Sequence, residues 1–404
     1  MGIGIRSALG LLLLAVAIQA QESKAAREVI EAELRALAPQ SARRIDVSKT
    51  EEFARIRAID GHLAALHDIL EAIFDDEGVR LAAVDVLAAI GDPSSVHPVL
   101  LLLRDDNERP SVRIRAIDAA VRLGDARAVM PLVEVVGLPE EKARAGERDF
   151  ERWADVKMRA AEAIPRFEVP GAAVERLIRY LTEEVGTPST VASAARCLGL
   201  LRAARAVPEL KSLVRVPGLA GGARREAIVA LGRIGDAEGL PEIEAGLADP
   251  DESVRMEAVN ALGFMGRPAA RTVPALLAIL RDDAADLYVR ASVPGAVVQI
   301  EPEGAEAVAA LVERLGRRAP TEDEDPLLLH VASMVALQFA APARAVPLLA
   351  ARGDDPDPLV RETVQGLLVR LTRTAFEGRS DPVPEGRSGW ESWWETAGEA
   401  FFQR

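Results

Sequence analysis

The chain of 404 residues is 49% hydrophobic but only 4% aromatic, so its core must come from many small aliphatic side chains at close helix spacing. Its formal net charge of -14 argues against a nucleic-acid binder, which gathers Lys and Arg to displace counterions from phosphate.

The N-terminus reads as an address. Arg6 precedes an apolar run from Ala8 through Ile18, and Ala20 supplies the small residue needed before a cut. Residues 1–20 are therefore expected to be a secretory signal peptide, with the mature chain starting at Gln21 and exported to the periplasm or beyond the cell. A membrane anchor is the rival reading, but the run is short for the roughly 20 residues of a spanning helix. No second stretch of that length follows, so no membrane span is expected after processing. Residues 21–74 carry amphipathic helices over Glu28 to Leu37, Glu51 to Ile59 and His62 to Ile73, and are expected to form an N-terminal cap.

A repeat then occupies residues 75–375. Val96, Val129, Val174, Val207, Leu240, Val273, Val308 and Val346 open similar segments, at steps of 33, 45, 33, 33, 33, 35 and 38 residues. That is the period of a helical solenoid. Residues 249–281 show one unit. Asp249-Pro250-Asp251 starts a helix whose apolar face is Val254, Ala258, Ala261 and Leu262, and Gly263 and Gly266 are expected to weaken it and permit a reversal. Pro274 enters the first turn of a second helix with Val273, Leu276, Leu277 and Leu280 on its inner face. Equivalent pairs begin near Val79, Val112, Val156, Val191, Ala223, Val289, Val331 and Val360. The fold class is all-α, an α-α superhelical solenoid of about nine helical hairpins.

These units resemble HEAT repeats, especially the short bacterial kind also found in phycobilin lyase subunits. The residues that match are Asp251 to Arg255 (Asp-x-x-x-Arg), Leu231 to Asp236 (Leu-Gly-x-Ile-Gly-Asp), and Val207 to Leu210 with Val273 to Leu276 (Val-Pro-x-Leu). The resemblance implies the fold and is nearly silent on activity, since the architecture hosts scaffolds, carriers and a few enzymes.

An Arg or Lys follows the anchoring Val at Arg80, Arg113, Lys157, Arg255, Arg290 and Arg361. A basic ladder for an anionic ligand is one reading. The favoured one is a set of staples to loop carbonyls or to acids such as Asp76, Asp251, Asp286 and Asp357.

Departures from the period are candidate sites, because extra residues cluster on one face. Gly137 to Arg152 lengthens one step and runs into Phe150 and Trp153, either as a partner-binding loop or as a longer first helix. Arg317 to Asp325 ends in four carboxylates, Glu322 to Asp325; it lacks the spaced oxygens of a Ca²⁺ loop and reads as a solvated loop, so no metal is assigned. Residues 376–404 change character. Trp390, Trp393 and Trp394 share one side of a helix that Ser388 and Glu391 are expected to start as a capping box, and they form either a C-terminal cap or an aromatic platform. Leu371-Thr372, Phe376, Gly378, Asp381 and the Trp-x-x-Trp-Trp run resemble the end segment that follows HEAT repeats in many exported bacterial proteins of unassigned function.

Catalytic constellations are missing. His62, His67, His97 and His330 are dispersed, and no His-x-x-x-His, Cys pair, phosphate loop or nucleophile elbow occurs. The lone Cys197 reads as a small buried hydrophobe, with a reactive thiol or intermolecular bridge as the alternative. A bilin-lyase activity, which the resemblance suggests, is disfavoured by the signal peptide. The expectation is therefore a non-enzymatic exported scaffold or adaptor without cofactor, binding a protein or peptide on a concave face lined by second helices. The alternative is an envelope carbohydrate-binding protein using the tail tryptophans, and the contact candidates are Phe150, Trp153, Trp390, Trp393 and Trp394. The oligomeric state is left open.

Overall fold

Apolar residues at helical spacing, broken by Gly and by Asp-led turns, give helix after helix in chain order. A computed structural model describes residues 24–71, 76–105, 108–138, 147–183, 187–315, 326–376 and 383–402, with the side chains of 147–152, 326–327 and 374 set apart. The expected signal peptide, the acidic run from Glu322 to Asp325 and the Phe150 ring lie outside those residues. No strand occurs among the described residues, and no helix there is long and apolar enough to cross a membrane.

The chain divides between Cys197 and Leu198 into two units. In the first, α1 (residues 24–42), α2 (Glu51–Arg57) and α3 (His62–Glu71) precede three hairpins. These are α4 (Glu77–Ile90) with α5 (Val96–Arg104), α6 (Pro110–Leu123) with α7 (Val129–Val136), and α8 (Glu147–Ala163) with α9 (Gly171–Glu183). First helices stack on first helices, α4 on α6 and α6 on α8, and second helices do likewise, α5 on α7 and α7 on α9. The boundary falls inside α10 (Pro188–Leu200).

The second unit continues with α11 (Val207–Val214), α12 (Gly221–Ile234), α13 (Leu240–Gly246), α14 (Glu252–Met265), α15 (Val273–Arg281), α16 (Leu287–Ile300), α17 (Ala305–Leu315), α18 (Pro326–Leu337), α19 (Pro342–Ala350) and α20 (Pro358–Leu371). Its first helices α12, α14, α16, α18 and α20 stack in that order. After α21 (Arg373–Phe376) comes α22 (Gly386–Trp393), which packs on α19 where a ninth second helix would lie. A π-helical turn, Trp394–Gly398, leads into α23 (Glu399–Phe402).

Hairpin geometry follows from local chemistry. Gly91, Gly124 and Gly235 end α4, α6 and α12 at φ of 75°, 69° and 76°, the left-handed conformation that closes a helix C-terminus cheaply only in glycine. The following Asp92, Asp125 and Asp236 each accept a bond from the backbone N–H two residues on, which starts the next short turn.

Three expectations are corrected. Gly263 does not loosen α14: it lies inside the helix, where a Cβ would come within 3.0 Å of Ala296 Cα, and Gly266 alone makes the turn at φ 65°. The anchors at two repeats shift, because Ala173 and Leu329 are the sealed residues while Val174 is half-buried and Val331 is 37% exposed. Finally, α22 starts at Gly386 with no side-chain cap from Glu385, and Glu391 accepts from Arg387 Nε at 2.8 Å rather than closing a capping box with Ser388.

Candidate functional site

The cations that follow the anchors are staples. Arg255 Nη1 donates to the Asp249 and Pro250 carbonyls at 2.9 and 3.1 Å, and Arg361 Nη1 to the Asp355 and Pro356 carbonyls at 2.6 and 3.0 Å. Arg113 donates to the Asp105 carbonyl, and Arg290 to Asp283 Oδ1 at 2.5 Å. Two reach the next repeat instead: Arg80 bonds Glu108, both buried, and Lys157 Nζ donates to Ser189 Oγ and Thr190 Oγ1 at 2.9 and 2.7 Å. The acids named from sequence do other work. Asp76, Asp251, Asp286 and Asp357 accept backbone N–H bonds as N-caps of α4, α14, α16 and α20. His330 takes the cation's place in α18, its Nε2 3.0 Å from Thr363 Oγ1.

Trp153 is part of this system. Within the lengthened step the first helix α8 runs for 17 residues, and the Arg113 guanidinium sits 4.5 Å from the centroid of the Trp153 ring, so one face of that indole is already covered by a buried cation. No sequence signal pairs these residues, since they belong to different repeats.

The tail rings form a connected series. Trp390 is fully buried and its Nε1 donates to Gln365 Oε1 at 2.8 Å; Gln365 Nε2 in turn donates to the Pro384 carbonyl at 3.0 Å. Trp390 meets Phe376 and Trp393 edge-on at 6.2 and 5.7 Å, and Trp393 lies 5.1 Å from Phe376. Trp394 stacks on Phe402 at 6.1 Å. Gly398 is required by this closure, since a Cβ there would lie 2.7 Å from Trp393 Cζ3 and 2.8 Å from Trp394 Cε3. Beside it Val369, Arg373, Phe376 and Val383 line an open cavity of about 240 Å³. Trp393 and Trp394 are half-buried. Gln365, Gly398 and Phe402 were not legible as members of the cluster, for their roles depend on a fold-back of the chain.

The second helices supply a different surface. Arg104 of α5 pairs with Glu134 of α7 at 3.1 Å, which sets the register of these neighbours. One turn back on each helix lie Leu101 and Met130, both 38% exposed. In the second unit Arg271 bonds Glu244 at 2.8 and 2.9 Å, and Arg281 faces Glu306 at 3.7 Å. The histidines are engaged separately: His62 Nδ1 is 2.9 Å from the Ile59 carbonyl and His67 Nε2 3.2 Å from Ser95 Oγ. Burial pushes the Cys197 thiol up to about 12, so the group stays protonated and unreactive.

The model of the HEAT-repeat family matches residues 63–147 and 221–296. No curated protein sequence matches the chain. Among solved structures, the complex of CpcE and CpcF of phycocyanin lyase from Nostoc is similar at a TM-score of 0.40 and 20% identity, over 68% of this chain and 94% of that one. Human deoxyhypusine hydroxylase is similar at 0.29 and 21% identity, over 61% and 96%. Kap121p is similar at 0.33 and 13% identity, and this chain, 92% covered, spans about half (53%) of it.

Proposed function

We propose that this chain, a HEAT-like repeat protein, is an exported, non-enzymatic scaffold that binds a protein or peptide on the face formed by its second helices. One observation carries the reading. Leu101 and Met130, two flexible apolar side chains, stand exposed side by side on α5 and α7, with the Arg104–Glu134 pair as a polar rim. Apolar anchors inside a polar rim are what peptide recognition needs, and unbranched Met adapts to irregular partners. The separate engagement of His62, His67 and His330 and the protonated Cys197 support a non-enzymatic role.

The test is photo-crosslinking of the full chain in its native envelope fraction. A crosslinker at Leu101 is expected to trap a partner that one at Phe264, on a first helix, does not. The Leu101→Glu, Met130→Glu double variant should lose the adduct while keeping its helical circular dichroism. An adduct that survives the double variant overturns the reading. The alternative, carbohydrate recognition by the tail, has weaker support, because Trp390 is sealed and Trp393 is covered on one side by Phe376. It rests on Trp394, and a saccharide-dependent fluorescence shift lost in Trp394→Ala would carry it instead.

A further inference from the structure

Leu101 and Met130 have neighbours on a third helix. Leu66 and Ile69 of α3 are buried, as are, 33 residues on, Val99 and Leu102 of α5 and, 33 further, Leu132 and Val135 of α7. α3 packs on α5 and α5 on α7, so the three helices share one count. In that count Arg104 bonds across the α5–α7 joint to Glu134 at 3.1 Å. The residues in the same two places at the α3–α5 joint are Glu71 and Leu101. Glu71 thus borders Leu101 on one side as Met130 does on the other, and Asp68 lies one turn back on α3.

Asp68 and Glu71 are exposed, and neither is in an ion pair among the described residues. The cations closest in this count are already paired, Arg104 with Glu134 and Arg127 with Asp125 at 2.7 Å. Burial holds the His67 imidazole below its ordinary pKa against the pull of Glu71, Asp92 and Asp68, so it is uncharged at neutral pH and offsets neither carboxylate. The next exposed cation along the row, Arg179, is on α9, beyond α7.

We infer, on the reading that Leu101 and Met130 anchor a partner, that the bound segment is basic on one flank: apolar residues lie over Met130 and Leu101, and a Lys or Arg follows over Glu71 and Asp68. Binding expels water from the edge of the contact, which strengthens the pull of the two carboxylates on a cation and their repulsion of an anion. The helix spacing also selects a backbone. Neighbouring helices stand roughly 8–10 Å apart, and a polyproline II segment advances about 9 Å in the three residues that return a side chain to the same face. Side chains at successive intervals of three residues therefore fall on α7, α5 and α3 in turn.

Fluorescence anisotropy of the full chain with two labelled peptides tests it. Both carry two leucines three residues apart. One has Arg three residues outside the leucines at each end, so that either chain direction places a cation over α3, and the other has Glu there. At low salt the Arg peptide should bind at least tenfold tighter than the Glu peptide, and the preference should fade in 1 M salt. A net charge of -14 draws any cationic peptide, so the decisive variant reverses only Asp68→Lys and Glu71→Lys. It should abolish the preference with an unchanged circular dichroism spectrum. Glu238→Lys with Glu395→Lys makes the same change in net charge at exposed positions elsewhere and should leave the preference in place.

Equal binding of the two peptides, or a preference that survives Asp68→Lys with Glu71→Lys, overturns the basic partner while the anchors stand. Binding of neither peptide overturns it too, and the crosslinked adduct at Leu101 then decides separately whether the anchors hold a partner. Leu101→Gln with Met130→Gln should release the Arg peptide, and an Arg peptide that still binds this variant overturns the anchors themselves.

Discussion

In the first unit, neighbouring first helices are joined by ion pairs: Arg115 with Asp85 at 2.8 Å, Arg159 with Asp118 at 2.5 Å and Arg196 with Glu162 at 3.0 Å. In the second, one backbone is laid on the next. A Cβ on Gly199 would lie 2.7 Å from Ala230 Cα, and one on Gly232 would lie 2.5 Å from the Ala261 carbonyl oxygen. The glycine falls ninth after its anchor at Gly232 and Gly263, where the first unit has Ala88 and Val121. One repeat period thus accommodates two kinds of joint. A directional ion pair fixes register between helices held a side chain apart, whereas a glycine fixes it by close van der Waals contact that no other residue permits.

The contrast breaks most sharply at the buried pair. Arg80 and Glu108 are 6% exposed each, so Arg80→Ala strands a carboxylate, and chemical denaturation should show a loss of about 3–5 kcal/mol. The double variant Arg80→Met, Glu108→Leu should recover most of it, because the charge itself is not what the fold requires there. A double variant as unstable as the single would mean that the ion pair is irreplaceable.

Next in size is the glycine joint. In an open helix, Gly→Ala stabilises by up to about 1 kcal/mol. At Gly232 the new methyl meets backbone that cannot rotate away, and overpacking should turn this into a net loss of about 1–3 kcal/mol. Gly366, inside α20 with nothing within 4 Å, is the control, and Gly366→Ala should keep the gain. Equal effects at the two positions would show that α12 and α14 slide apart freely.

How much of this was legible depends on distance along the chain. The second-helix anchors Val96, Val129, Val207, Leu240, Val273, Val308 and Val346 are all buried, since the repeat period alone marks them. Gly263 was misread as a helix breaker because its partner, Ala296, is one repeat away, and sequence alone does not say that two helices touch. The same separation hid the Arg113–Trp153 stack and the Gln365 acceptor of Trp390. For the cation ladder, the staple reading anticipated the loop carbonyls but assigned the wrong acids, because an Asp just before a helix is claimed by that helix's own N–H groups.

A pH-dependent effect should appear in the first unit at Asp85. This carboxylate accepts from Ser41 and Arg115, yet burial dominates and holds its pKa above the usual Asp value. The native state therefore keeps the proton over a window in which the unfolded chain has released it. Its contribution to stability is highest below the unfolded pKa and falls as pH rises through the raised native one. Asp85→Asn cannot titrate, so the stability of wild type relative to this variant should decline from acid toward neutral pH. A difference independent of pH would mean that Arg115 fully offsets the burial.

The smallest effect gives the finest comparison of the two joints. Arg159 and Asp118 retain side-chain exposures of 45% and 25%, so water screens their attraction and the long Arg side chain loses rotamer freedom in making it. A double-mutant cycle with Arg159→Met and Asp118→Asn should return a coupling of only about 0.2–1 kcal/mol at low salt. Because the Debye length shrinks to about 3 Å in 1 M salt, the coupling should then vanish. The penalty of Gly232→Ala is steric and should not move between the same two buffers. If the Arg159–Asp118 coupling persists in 1 M salt, the pair is shielded from solvent, and the first unit's joints are held as tightly as the glycine contacts of the second.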